Sequence, residues 1–166
     1  MFELDEAWTC EFIIPLFSDA NRDRFCQAWD GFLVWGQLNQ SLADVLLPAF
    51  ITSASRLDSY FHNNRERFIE YYTALAVQYI DDPRKRLIPE LLNNCSTSDR
   101  IIFTQNLGFY IRNMSSDATK SLWDRWLHRY WQDRLKGIPV KLDEKEIIGM
   151  LEWLVHLGVC TLRVSN

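Results

Sequence analysis

Chemistry in this chain would have to come from three histidines, four cysteines and one run of hydroxyls. His128 follows Asp124 by four residues, and His156 follows Glu152 by four. On a helix that spacing sets a carboxylate and an imidazole on one face, where they could share a metal ion. Two ligands do not make a site, and both pairs fall toward polar arcs, so neither is expected to bind metal. His62 sits beside Asn63 and Asn64 in an expected loop. Cys10, Cys26, Cys95 and Cys160 are scattered through apolar stretches without Cys-x-x-Cys spacing. They read as reduced, buried thiols of a cytoplasmic protein, not as a zinc site or a disulfide framework. Cys95-Ser96-Thr97-Ser98 is rich in nucleophiles, but serines and threonines ahead of a helix serve more simply as caps. The chain has no Gly-rich phosphate loop, no Gly-x-Ser-x-Gly elbow and no His-Glu-x-x-His. No catalytic residue, cofactor or metal is assigned, and enzyme activity is not expected.

Cations offer a second kind of chemistry. Arg125, His128, Arg129, Gln132 and Lys136 fall on one face at helical spacing, and Arg84-Lys85-Arg86 forms a separate cluster. Such residues could meet phosphates or an acidic partner. The competing reading is a solvated helix face whose cations suit the helix C-terminus, and that is the default for a packed helix. Net charge is −4, with −8 in residues 1–83 and +4 in residues 84–166. The overall acidity argues against strong nonspecific DNA binding.

The element that must position these cations is Leu122–Lys136, which holds three of the seven tryptophans. At 100° per residue, Leu122, Trp123, Trp126, Leu127, Tyr130, Trp131 and Leu135 cover an arc of roughly 220°, about twice what a surface helix needs. The helix is therefore expected to touch neighbours on two sides, with Trp123 and Trp126 as core residues. Arg134 lies inside the same arc. A guanidinium there must stack on a ring or meet a carboxylate, so Arg134 reads as a structural clamp. Ser115, Ser116 and Asp117 offer N-caps, Gly137 a left-handed C-terminal exit, and Pro139 a stop.

Apolar content is 48%, aromatic content 14%, and there are six glycines and five prolines. That composition and the short β-branched runs point to helices. No signal peptide is visible in the acidic start, and no apolar run is long enough to span a bilayer. A first helix is expected over residues 5–17, with Trp8, Phe12 and Leu16 as its stripe and Pro15 kinking or ending it. Ser18 or Asp19 would cap the next, over 20–35, whose apolar positions include Phe25, Trp29, Phe32, Leu33 and Trp35. Gly31 within it costs about 1 kcal/mol against alanine, which suggests close packing or an early turn there.

Ser41 and Asp44 suggest a capping box for a helix near 42–57, bent at Pro48. After a connection at 58–64, Asn63 and Glu66 would open a helix to about Ile80. Asp82-Pro83 starts a short segment broken at Pro89. Helices follow over about 99–113 and 117–136. Asp143 and Glu146 cap the last, to Leu157, with Ile147, Leu151, Leu154 and Val155 turned inward and Lys145, Glu152 and His156 outward. Residues 159–164 alternate weakly, as a short tail or strand would.

Three segments carry a resemblance. They are Ala28-Trp29-Asp30-Gly31-Phe32-Leu33, then Leu122-Trp123-Asp124-Arg125-Trp126-Leu127-His128-Arg129-Tyr130-Trp131, then Arg134-Leu135-Lys136-Gly137-Ile138-Pro139 running into Glu146 and Met150-Leu151-Glu152-Trp153. Their order and spacing resemble an uncharacterised helical domain at the C-terminal side of large bacterial sirtuin-like proteins, whose relatives act in antiphage defence. The resemblance covers most of residues 8–157. It implies no catalytic residues here, because the NAD-hydrolysing site of such proteins belongs to a separate α/β domain. The expectation is therefore an all-α chain of about seven or eight helices packed in pairs, either a solenoid-like (HEAT-like) array or a compact bundle. Residues 1–166 would form one domain, a fragment of a larger protein. Its expected role is a noncatalytic interaction or regulatory module, contacting other domains of a parent protein or a protein partner. The alternative is a nucleic-acid-binding module using Arg125, Arg129 and Lys136 with Arg84, Lys85 and Arg86.

Overall fold

Local signals set the helix boundaries. In the computed structural model, residues 6–61 and 63–157 are described, and they form eight helices with no strand among them. Helix α1, residues 6–18, tightens into a 3-10 turn at Ile14–Ser18, where Pro15 removes a backbone donor. Helix α2 is Arg22–Trp35, capped by Asn21, whose side chain accepts from the Asp23 and Arg24 amides. The cap is thus Asn21, not Ser18 or Asp19. Asp19 instead takes the Asn21 amide. Helix α3 covers residues 40–60 and starts from Asn39, whose side chain accepts from Leu42 N–H, so the expected Ser41/Asp44 box is not the cap. It runs through Pro48 and passes a 3-10 turn at Ala54–Arg56.

Helix α4 covers residues 65–79, with no side-chain cap from Asn64 and a wider π-helical turn at Leu75–Tyr79. A 3-10 turn at Pro83–Lys85 leads into α5, Leu87–Asn94. Pro89 is tolerated in α5 because first-turn amides have no intrahelical acceptor. Helix α6 is Thr97–Asn113, opened by a Ser96–Asp99 capping box. Helix α7, residues 116–135, carries a π-helical turn at Trp123–Leu127. Helix α8 is Glu144–His156, opened by an Asp143–Glu146 capping box. The expected 159–164 segment lies outside the described residues.

Helices α2, α4, α6 and α8 pack in chain order, each against the next, while α3 contacts α5. Helices α6 and α8 lie close together at two glycines. An added Cβ at Gly108 would sit 2.9 Å from Trp153 Nε1, and one at Gly149 would sit 2.9 Å from Thr104 Cγ2. Trp29 is fully buried in the first half, ringed by Phe17, Phe50, Phe61 and Phe68 at centroid distances of 4.6–5.7 Å. In the second half Trp126, Tyr130 and Trp153 are buried, while Trp123 and Trp131 are half-buried against them. Among the described residues no helix is long and apolar enough to cross a membrane.

Four expectations about faces are corrected. Trp8 and Phe12 are exposed, because Thr9 and Phe17 turn inward and the Phe17 ring packs on Trp29. Trp35 is 85% exposed at the very end of α2, beyond the helices that cover Trp29 and Leu33. Gly31 faces open space instead of a close neighbour. In α8 the buried face is Glu146, Met150 and Trp153, and Ile147, Leu151, Leu154 and Val155 are turned outward.

Candidate functional site

The last turn of α7 makes Arg134 a hub. Gly137 adopts a positive φ of 74°, so the chain doubles back beneath the helix, passing a cis Ile138–Pro139 peptide. That return directs two carbonyls at the guanidinium: Arg134 Nη1 donates to Ile138 O at 3.1 Å and Val140 O at 2.6 Å. Nη2 donates to Glu146 Oε1 at 2.9 Å. Arg134 is 0% and Glu146 1% exposed. Glu146 also accepts from Arg100 Nε at 3.2 Å and from the Asp143 amide at 3.1 Å. One carboxylate thereby joins α6, α7 and the first turn of α8. Leu135, expected in the buried arc, is exposed because the returning chain covers Arg134 instead.

A second charged hub, missed from sequence, lies across α6. Arg65 donates to both oxygens of Asp99, to Asp58 and to Leu57 O, tying α3, α4 and α6 together. Burial alone would push the Asp99 carboxyl up. Hydrogen bonds from Arg65 and Ser96 outweigh it and hold the group below its ordinary 3.8. A carboxyl depressed in the folded state stabilises the fold above its unfolded pKa, and that stability is lost as pH falls toward the folded value. Asp99→Asn is therefore expected to flatten the loss of stability as pH falls below the ordinary 3.8, read by urea titration at each pH. An acid limb as steep as in the parent protein would contradict this.

The sequence-predicted cations divide. Arg125 donates to Val77 O at 2.8 Å, and Arg84 pairs with Asp82 and with Asp133 of α7, each at 3.3 Å. The Arg84–Asp133 contact brings the 84–86 cluster beside α7, so the two basic segments are neighbours. Lys85, Arg86, Arg129 and Lys136 are exposed, and among the described residues none has a carboxylate within ion-pair distance. His128 is exposed and tilts over the half-buried Trp123 ring at 5.0 Å, and His156 is exposed. Among the described residues no group of three or more His, Cys, Asp or Glu could hold a metal. His62 lies outside the described residues. Burial pushes the Cys95 thiol up to about 12, which keeps it protonated at neutral pH and weakly nucleophilic.

A recess lies elsewhere, between the end of α2 and one face each of α4 and α6. Two adjoining hollows of about 660 and 400 Å³ share Glu70 and Tyr110. Trp35 and Phe109, 85% and 57% exposed, stand at the outer edges. The wall is rigidly held. Arg67 Nε donates to Leu33 O at 3.0 Å, Tyr71 Oη to Gly36 O at 2.6 Å, and Tyr79 Oη to Leu38 O at 3.0 Å. Arg67 also pairs with Glu70 at 3.2 Å, which leaves the groove nearly neutral. Asn106 lines the smaller hollow, and its side-chain nitrogen is buried with no hydrogen-bond partner. The sequence signal for this groove was weak: Phe109 falls outside the α6 stripe, and Trp35 sits at a helix end next to Gly36.

Residues 76–161 match a family described as a domain of unknown function, DUF4020. No curated protein and no solved structure matches the chain. The matched stretch holds the Arg134 hub and α5 to α8 entire, whereas Trp35, Arg67, Glu70 and Tyr71 of the groove precede it. It spans more than half of the 166 residues, and the chain belongs to the DUF4020 family.

Proposed function

We propose that this chain is a single noncatalytic helical module that binds a polypeptide segment in the α2–α4–α6 groove. The carrying observation is Trp35, a tryptophan 85% exposed beside a groove whose walls are fixed by three hydrogen bonds. Exposed aromatics over a preorganised recess are what protein partners use as anchors. Arg67 and Glu70 offset each other, and the lining offers tyrosyl and amide groups such as Gln78 and Asn106, which suit a peptide backbone better than a phosphate. The segment would come from another domain of a parent protein or from a separate partner. The resemblance of the Trp-rich segments supports a setting in large bacterial sirtuin-like, cytoplasmic proteins of antiphage defence. The NAD-hydrolysing activity would then reside in another domain.

The test is capture from nuclease-treated lysate of phage-infected and uninfected bacteria, with the parent chain and a Trp35→Ala/Phe109→Ala variant side by side. The variant is expected to unfold within about 0.5 kcal/mol of the parent, because both side chains are exposed. Its partner is expected to be retained at least about tenfold less, as for interface anchors. A partner held equally by both proteins would reject the groove.

A second reading, nucleic-acid binding, has one observation in its favour: Lys85, Arg86, Arg129 and Lys136 are exposed with no ion pair among the described residues, and the Arg84–Asp133 contact sets the 84–86 segment beside α7. It requires retention that nuclease removes and that falls steeply with salt.

A further inference from the structure

Helix α8 has two apolar faces and buries only one. Met150 and Trp153 face the core, whereas Ile147, Ile148, Leu151, Leu154 and Val155 are 36–75% exposed. The exposed set has heptad order. Ile148 and Val155 occupy one seam position, Glu144 and Leu151 the other, with Ile147 and Leu154 along one edge. Lys145 and Glu152 lie along the opposite edge, both exposed and neither ion-paired among the described residues. They are seven residues apart, about 10.5 Å along the axis, too far to pair with each other.

We infer that this face pairs with the same face of a second copy, the two α8 helices running antiparallel about a two-fold axis. Charge order selects this occupant. In an antiparallel pair each edge meets the same edge of its mate, so Lys145 meets Glu152 of the second copy, and Glu152 meets its Lys145. The Ile147 and Leu154 edges then meet each other and widen the apolar seam. A parallel pair would set Lys145 and Glu152 against Ile147 and Leu154 and satisfy neither charge. Glu144 ends the seam at the first turn, beside water. The exposed apolar side chains offer roughly 450 Å² per copy, about 900 Å² in total, below the ~1,200 Å² of standard interfaces. The dimer is accordingly weak, with a Kd on the order of 10–100 µM.

Sedimentation equilibrium of the full chain from about 5 to 300 µM tests this against that range of Kd. The parent chain is expected to pass from monomer to dimer. Leu151→Glu should weaken the dimer at least about tenfold, and Lys145→Glu or Glu152→Lys alone about fivefold, by setting like charges together. The double reversal Lys145→Glu/Glu152→Lys should return to within about twofold of the parent, since the complementary order is restored. All three positions are exposed, and a thermal melt of each variant verifies folding. A parent chain that stays monomeric throughout overturns the proposal. So does a dimer indifferent to Leu151→Glu, or a double reversal no better than the single ones.

Discussion

Glu146→Gln is expected to cost about 3–5 kcal/mol, because it strands a charge that has nowhere to go. Arg134 is 0% exposed, and Glu146 is its carboxylate partner. The carbonyls of Ile138 and Val140 would remain, but they carry only partial charge. Glutamine keeps the size and one acceptor oxygen, so the capping contact to the Asp143 amide can survive and the loss reports the charge. Arg134→Met should cost less. It removes a buried charge outright, and Glu146 retains Arg100, whose side chain is 13% exposed. The double variant Glu146→Gln/Arg134→Met should therefore recover at least half of the single Glu146→Gln loss, since replacing both members of a buried pair is far milder than breaking it. Urea unfolding of the three variants measures all of this. A Glu146→Gln loss under about 1 kcal/mol would mean that Arg134 is solvated in the folded protein.

Trp29→Ala is the second large effect, also about 3–5 kcal/mol, the range for truncating a buried aromatic. Trp29 is fully buried, touches six phenylalanine rings and donates from Nε1 to Phe17 O at 3.2 Å. Typical domains have only about 5–15 kcal/mol in total, so the variant should be marginally folded. Trp126 offers a control of equal burial and different chemistry. Its Nε1 is buried with no acceptor. Trp126→Phe gives up ring volume but removes an unsatisfied donor, whereas Trp29→Phe gives up volume and a hydrogen bond. Trp29→Phe is thus expected to be the costlier of the two by about 1 kcal/mol. Equal losses in paired thermal melts would mean that the Phe17 carbonyl contact contributes nothing.

These residues also show how far the chain could be read without coordinates. The all-α class, the number of helices and many of their ends follow from near neighbours. Ser96 with Asp99, Asp143 with Glu146, Asp82 with Pro83, and Gly137 each act within a few residues, and the hydrogen bonds they satisfy are local. Arg134 was also legible as an inward residue, since its neighbours Tyr130 and Trp131 share its arc. Its carboxylate was not, because twelve residues and a reversed turn separate it from Glu146. The caps Asn21 and Asn39 were missed because several capping residues crowd each start, and the amides reached by each side chain decide among them.

By itself, then, the sequence determined periodicity, caps and turns, for a physical reason: these depend on atoms within one or two helical turns. The tertiary structure alone decided which apolar face is buried. In α8 both faces are hydrophobic, and the Met150–Trp153 face prevailed because Gly108 and Gly149 let α6 come close and Glu146 reached Arg134. The groove likewise exists only once α2, α4 and α6, distant in sequence, set Trp35, Tyr71 and Tyr110 around one hollow. Burial is a choice among competing neighbours, and no local pattern records which neighbour arrives.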